Sequence, residues 1–165
     1  MSSGLLRTAV LAAGVMFCLA LHPARAAGQW AEPQFTSAFT IPTAQLIQPD
    51  ELNRLLRAHG EEKPLIMQVG SHMMFTQAHV PGAEYAGPGS QAEGLARLRG
   101  RVASLPRTTF IVIHCGCCPW NRCPNVGPAY NLLHEMRFTR VKVLYLAQNF
   151  GDDWVSKGFP VDGGH

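Results

Sequence analysis

Short apolar runs alternate with amphipathic stretches along most of this chain. The segment 48–60, "QPDELNRLLRAHG", places Leu52, Leu55 and Leu56 on one helical face, with Pro49 in the first turn, acids at 50 and 51, and Gly60 as a stop. "PLIMQV", 64–69, is a short apolar run and reads as a buried strand. Residues 70–90 are rich in Gly and Pro and read as a long connection. In "QAEGLARLRGRVASL", Leu95, Leu98, Val102 and Leu105 recur at helical spacing. "TTFIVIH", 108–114, has the strongest β-branching in the chain and predicts a strand. Asn125 is placed as N-cap of a helix over 126–137, with Pro128 in its first turn. A strand over 141–146 and a short helix closed by Gly158 complete the pattern. Strands that are apolar throughout and alternate with helices predict an α/β fold: a doubly wound parallel sheet covered on both faces.

The N-terminus breaks this pattern. "MSSGLLR" carries one positive charge, "TAVLAAGVMFCLAL" is apolar, and Ala24-Arg25-Ala26 follows. That layout predicts a secretory signal peptide over 1–26, cleaved after Ala26, with a periplasmic or secreted product. The apolar run is short for a membrane span, so no span is expected after cleavage. Residues 27–43 lack periodicity and read as an extended arm. The domain is expected over 44–162, with 163–165 as a tail.

Charge then excludes some partners. The full chain has 14 basic and 11 acidic side chains. Loss of Arg7 and Arg25 with the signal peptide leaves 12 against 11, a net charge of +1. No Lys/Arg run marks a nucleic-acid surface, and no spare apolar stripe marks an oligomer interface, so a monomer that binds no nucleic acid is expected.

The candidate chemistry lies in "IVIHCGCCPWNRCPN", 111–125. With Cys18 removed, all four remaining cysteines, Cys115, Cys117, Cys118 and Cys123, fall in this loop. An oxidising destination favours disulfides, yet any bridge among these four closes only a tiny loop and adds little stability by chain entropy. Reactivity or metal binding are the better readings, with a local loop-pinning disulfide as the bland one. The loop joins a strand end to a helix start, where ligands bind in parallel sheets and backbone N–H groups favour negative charge. Cys115, first in the loop, should therefore have a lowered thiol pKa. His114, one residue earlier, should point to the opposite face as a buried structural histidine.

Several segments together resemble the rhodanese-like sulfurtransferases (the thiosulfate sulfurtransferase type), over roughly residues 46–161. "PLIMQVG" is similar to the first strand motif of that family. His79, Val80, Pro81, Gly82 and Ala83 resemble its signature after a short helix. "FIVIHC" resembles the strand that delivers the catalytic cysteine. Trp154, Gly158, Pro160 and Val161 resemble its closing helix and end. The resemblance implies a five-stranded, mainly parallel sheet and a persulfide on Cys115, formed from a donor such as thiosulfate and passed to a thiol or cyanide. The substrate loop would comprise Gly116, Cys117, Cys118, Trp120, Asn121 and Arg122. No cofactor or metal is implied, and the expected partners are a small sulfur-containing substrate, a thiol acceptor and an exported protein.

The chain also departs from the family pattern. Gln68 and Gly70 stand where Asp and Arg are usual, and Gln148 and Asn149 replace a Gly pair. Members place four residues between the cysteine and a basic or polar residue. Six residues separate Cys115 from Arg122, and four separate Cys117 from it. Cys115 is expected as nucleophile in an expanded loop, with Cys117 as the alternative. Cys117, Cys118 and Cys123 are candidate resolving or disulfide thiols. Trp120 would wall a pocket or shield the loop. The competing function is a thiol-redox or metal-binding module using residues 115–123, since C-x-C-C-x4-C also supplies thiolates for Zn or Cu(I). His72, His79, Met73 and Met74 read as packing residues.

Overall fold

The computed structural model describes residues 40–60 and 62–163; the stretch expected to be a signal peptide, most of the expected arm, Glu61 and the last two residues lie outside them. Within the described residues the chain forms β1 (Leu46–Ile47), α1 (Pro49–Arg57), β2 (Leu65–Gln68), α2 (His72–Gln77), β3 (Glu84–Tyr85), α3 (Ala92–Val102), β4 (Ile111–His114), α4 (Val126–Glu135), β5 (Val141–Leu144) and α5 (Phe150–Asp153). The five strands make one sheet in the order β1-β5-β4-β2-β3. Every pairing is parallel. No helix among the described residues is long and apolar enough to cross a membrane.

Strand alternation divides the core into two layers. Met67, Ile111, Ile113, Val141 and Val143 pack with Leu98, Val102, Ala129, Leu132 and Leu133 from α3 and α4. On the other face Ile47, Ile66, Val112 and Leu144 meet Leu52 of α1, Phe150 of α5 and Trp154. Cover on both faces explains why β2 and β4 show no alternation of apolar and polar residues. Trp154 is fully buried, and its indole N–H donates to the Pro160 carbonyl at 2.8 Å. The described end of the arm is not free: Ile41 is buried in the α3/α4 layer, and a 3-10 turn spans Thr43–Gln45.

The connection expected over 70–90 is corrected, because it contains α2 and β3. Their signals are weak for physical reasons. The six residues of α2 bury none of their number, and the two residues of β3 are half-buried. β1, also two residues long, was equally hidden in the sequence pattern. An antiparallel bridge ties His79, in the middle of this segment, to Asp162 near the end of the described residues. His79 stacks on Phe75 at 3.9 Å and its Nδ1 contacts the Phe75 carbonyl oxygen at 2.7 Å, a structural role. His72 packs edge-on against Tyr85, while Met73 is exposed. The last helix is shorter than expected: α5 stops at Asp153, and a 3-10 turn over Val155–Lys157 runs to Gly158, whose φ of 71° ends it.

Candidate active site

β4 lies at the centre of the sheet, and Cys115 is the first residue beyond it. Alternation sends Cys115 into the α3/α4 layer. It sends His114 to the other face, where its ring stacks on Phe150 at 5.7 Å. His114 is 1% exposed and neither ring nitrogen has a hydrogen-bond partner. Burial, and secondarily the charge of His79, lower its pKa to about 3, so the ring is neutral.

The loop then folds back on itself. Gly116 takes φ of 79°, a conformation that disfavours any residue with a Cβ. Its carbonyl accepts the Phe150 N–H at 3.0 Å, which anchors the turn on the start of α5. This reversal brings the Cys117 sulfur to 2.9 Å from the Cys115 sulfur, and Cys118 Sγ lies 3.4 Å from Cys117 Sγ. Cys115 and Cys123 are buried, Cys118 is half-buried and Cys117 is exposed; all four are free thiols. A 3-10 turn over Trp120–Arg122 carries the loop towards α4. The Trp120 N–H donates to the Ala147 carbonyl at 3.1 Å and its ring packs on Tyr145 at 5.0 Å. With Cys115, Cys118 and Cys123 it lines a shallow cleft. Asn121 and Arg122 are exposed on the loop rim. What reaches the cysteines from Arg122 is its carbonyl oxygen, 3.9 Å from Cys118 Sγ.

Asn125 occupies the N-cap position of α4 but makes no side-chain cap. Its Oδ1 instead accepts from the Ser90 N–H at 3.1 Å and the Ser90 hydroxyl at 2.8 Å. That fixes the amide so that Nδ2 donates to Cys115 Sγ at 3.2 Å and, more weakly, to Cys117 Sγ at 3.8 Å. Sequence reasoning missed this role, since Asn before a helix reads as a cap and Ser90 lies 35 residues away. Gln68, buried in place of the usual acid, donates to the Cys115 carbonyl at 3.2 Å and accepts weakly from the Gly70 N–H at 3.4 Å. Gly70 itself is explained by space: a Cβ there would stand 2.8 Å from the Cys115 carbonyl oxygen and 3.0 Å from its sulfur. No arginine side chain could start from that position without displacing the thiol.

Two electrostatic expectations are corrected. The first backbone amides of the helix, at Asn125 and Val126, act on Cys123 rather than on Cys115. The lowered thiol is also elsewhere. Donation towards Cys117 and Cys123, together with burial, pushes the Cys115 thiol far above the usual range; the Cys117 backbone amide opposes this only in part. Cys117 is held down to about 6, chiefly because Cys115 donates to it, with help from Cys118, its own amide and Asn125 against desolvation. Cys123 falls to about 7 through Cys115 and the two helix amides. Burial, then donation to Cys117, pushes Cys118 up to about 12. Cys115, Cys117 and Cys123 thus titrate together, the one Cys115 proton serving either neighbour. The cluster can also present soft ligands, because the sulfurs of Cys115, Cys117 and Cys118 all lie within 4.8 Å of one another.

No family model matches the chain, and no curated protein matches it. Solved structures do. The rhodanese-like domain of the Alr3790 protein from Anabaena is 21% identical with a TM-score of 0.53, over 73% of this chain and 80% of that one. The BH2092 protein from Bacillus halodurans is 19% identical with a TM-score of 0.55, over 72% and 76%. A thiosulfate sulfurtransferase from Pseudomonas aeruginosa is 21% identical with a TM-score of 0.52, over 72% of this chain and 20% of that one. Five parallel strands in the order described, a cysteine loop following the central one, and these neighbours make this chain a rhodanese-like fold with a cluster of thiols in its central loop.

Proposed function

We propose that the protein is an exported sulfurtransferase. It takes sulfane sulfur from a donor such as thiosulfate as a persulfide on the Cys115–Cys117 pair and passes it to a thiol acceptor or cyanide. The observation that carries the reading is the pair itself. Two sulfurs 2.9 Å apart share a donor, Asn125, at the end of the central strand. Cys115 holds the strand-end position that the family resemblance assigns to the nucleophile, and Cys117 holds the access to solvent. A thiolate stabilised by neighbouring donors is the species that attacks a sulfane sulfur. Trp120 forms one wall of the adjoining cleft.

The test is a single turnover. Fully reduced, metal-free protein mixed with thiosulfate should release one equivalent of sulfite, and the Cys115→Ser/Cys117→Ser double variant should release none. Absence of sulfite from the wild type, together with no uptake of sulfur from a small alkyl persulfide, would remove the proposal. A second reading rests on the three sulfurs gathered within 4.8 Å, a set suited to Cu(I) or another soft ion. A stoichiometric metal in the isolated protein, with no sulfite release after its removal, would select that reading.

A further inference from the structure

Cys115 and Cys117 differ in the way a reactive and a resolving thiol must differ. Cys117 is exposed and can meet a dianionic donor from solvent, whereas Cys115 is 4% exposed and sits directly behind it. Their separation of 2.9 Å exceeds a disulfide bond, about 2 Å, by less than one ångström. Gly116, in its left-handed conformation, is the hinge that lets the two meet. Cys118 is also near Cys117, but it is the adjacent residue. Adjacent Cα atoms stand about 3.8 Å apart, below the roughly 4.4–6.8 Å that disulfides span.

We propose, resting on the sulfur-transfer reading above, that Cys117 takes the sulfane sulfur and Cys115 resolves it, so that the loop reduces that sulfur and releases hydrosulfide. In the first step the Cys117 thiolate attacks the outer sulfur of thiosulfate. The S–S bond of the donor breaks and sulfite leaves with the bonding pair. In the second, Cys115 attacks the inner sulfur of the Cys117 persulfide. The Cys115–Cys117 bond forms, and the outer sulfur leaves with the electron pair and the Cys115 proton as hydrosulfide. One sulfane sulfur is reduced by two electrons and two thiols become one disulfide. An external dithiol of the thioredoxin-like class is then needed to restore the pair. The reductant of the first turnover is therefore inside the protein.

Reduced wild-type protein, mixed anaerobically with thiosulfate and no added thiol, tests both steps. The expected result is one equivalent of sulfite, one equivalent of hydrosulfide, and a protein lighter by two hydrogens with Cys115 and Cys117 joined in an acid-quenched digest. Sulfite release with a lasting gain of one sulfur atom and no hydrosulfide would overturn the resolving step while leaving sulfur transfer intact. No sulfite at all would overturn both. In Cys115→Ser the sulfur should stay on the Cys117 peptide, with hydrosulfide release lost. Hydrosulfide released by that variant at the wild-type level would exclude Cys115 as the resolver.

Discussion

Asn125→Ala isolates the donor that the sulfur pair shares. The side chain removed donates to Cys115 Sγ at 3.2 Å and to Cys117 Sγ at 3.8 Å, and its own oxygen is held by Ser90. A hydrogen bond to a charged acceptor contributes about 1.5–3 kcal/mol. The longer contact reaches an exposed sulfur, where water screens and replaces part of it, so the lower end applies. Asn125 is the smallest of the donors that hold Cys117 near 6, behind Cys115, Cys118 and the loop amide, so at about 1.4 kcal/mol per pKa unit the first ionisation of the pair should move up by at most about one unit. The assay is thiolate absorbance, or the rate of alkylation at the Cys117 peptide, followed against pH. The sign is fixed, because loss of a donor to the thiolate disfavours the charged form. Below the inflection, single-turnover sulfite release should fall roughly tenfold per pH unit in both proteins, from a higher pH in the variant. An inflection that stays in place would refute the claim that Asn125 stabilises the thiolate.

Other predictions follow from neighbouring residues. His114 binds a proton in the unfolded chain near the ordinary value of about 6.5, but in the fold only near 3. The unfolded state therefore takes up more protons as pH falls between these values. Stability should drop by about 1.4 kcal/mol per pH unit across that window, and His114→Leu should remove this slope in denaturant titrations run at several pH values. A Cβ at Gly116 would meet Phe150 Cβ at 2.8 Å at a φ of 79°. Gly116→Ala should therefore cost about 2 kcal/mol in denaturant unfolding and slow Cys115–Cys117 crosslinking by a mild oxidant; unchanged crosslinking would deny Gly116 its part as hinge.

The apolar runs at 64–69, 108–114 and 141–146 determined a parallel sheet by themselves, because a strand dry on both faces has no polar alternation left to show. The crowding of four of the five cysteines after the best strand likewise announced where chemistry would occur. Short elements were not legible in the hydrophobic pattern. β1, β3 and α2 are held by pairing and by neighbours rather than by a burial pattern of their own. The ranking of the thiols also belonged to the tertiary structure. Chain order favours Cys115, but ionisation depends on which donors surround each sulfur in space. A left-handed glycine turns Cys117 outward over Cys115, the helix amides face Cys123, and Ser90, from a distant loop, aims the Asn125 amide at the pair. Local sequence sets which groups are present; their charge states follow from distances between segments that only folding brings together.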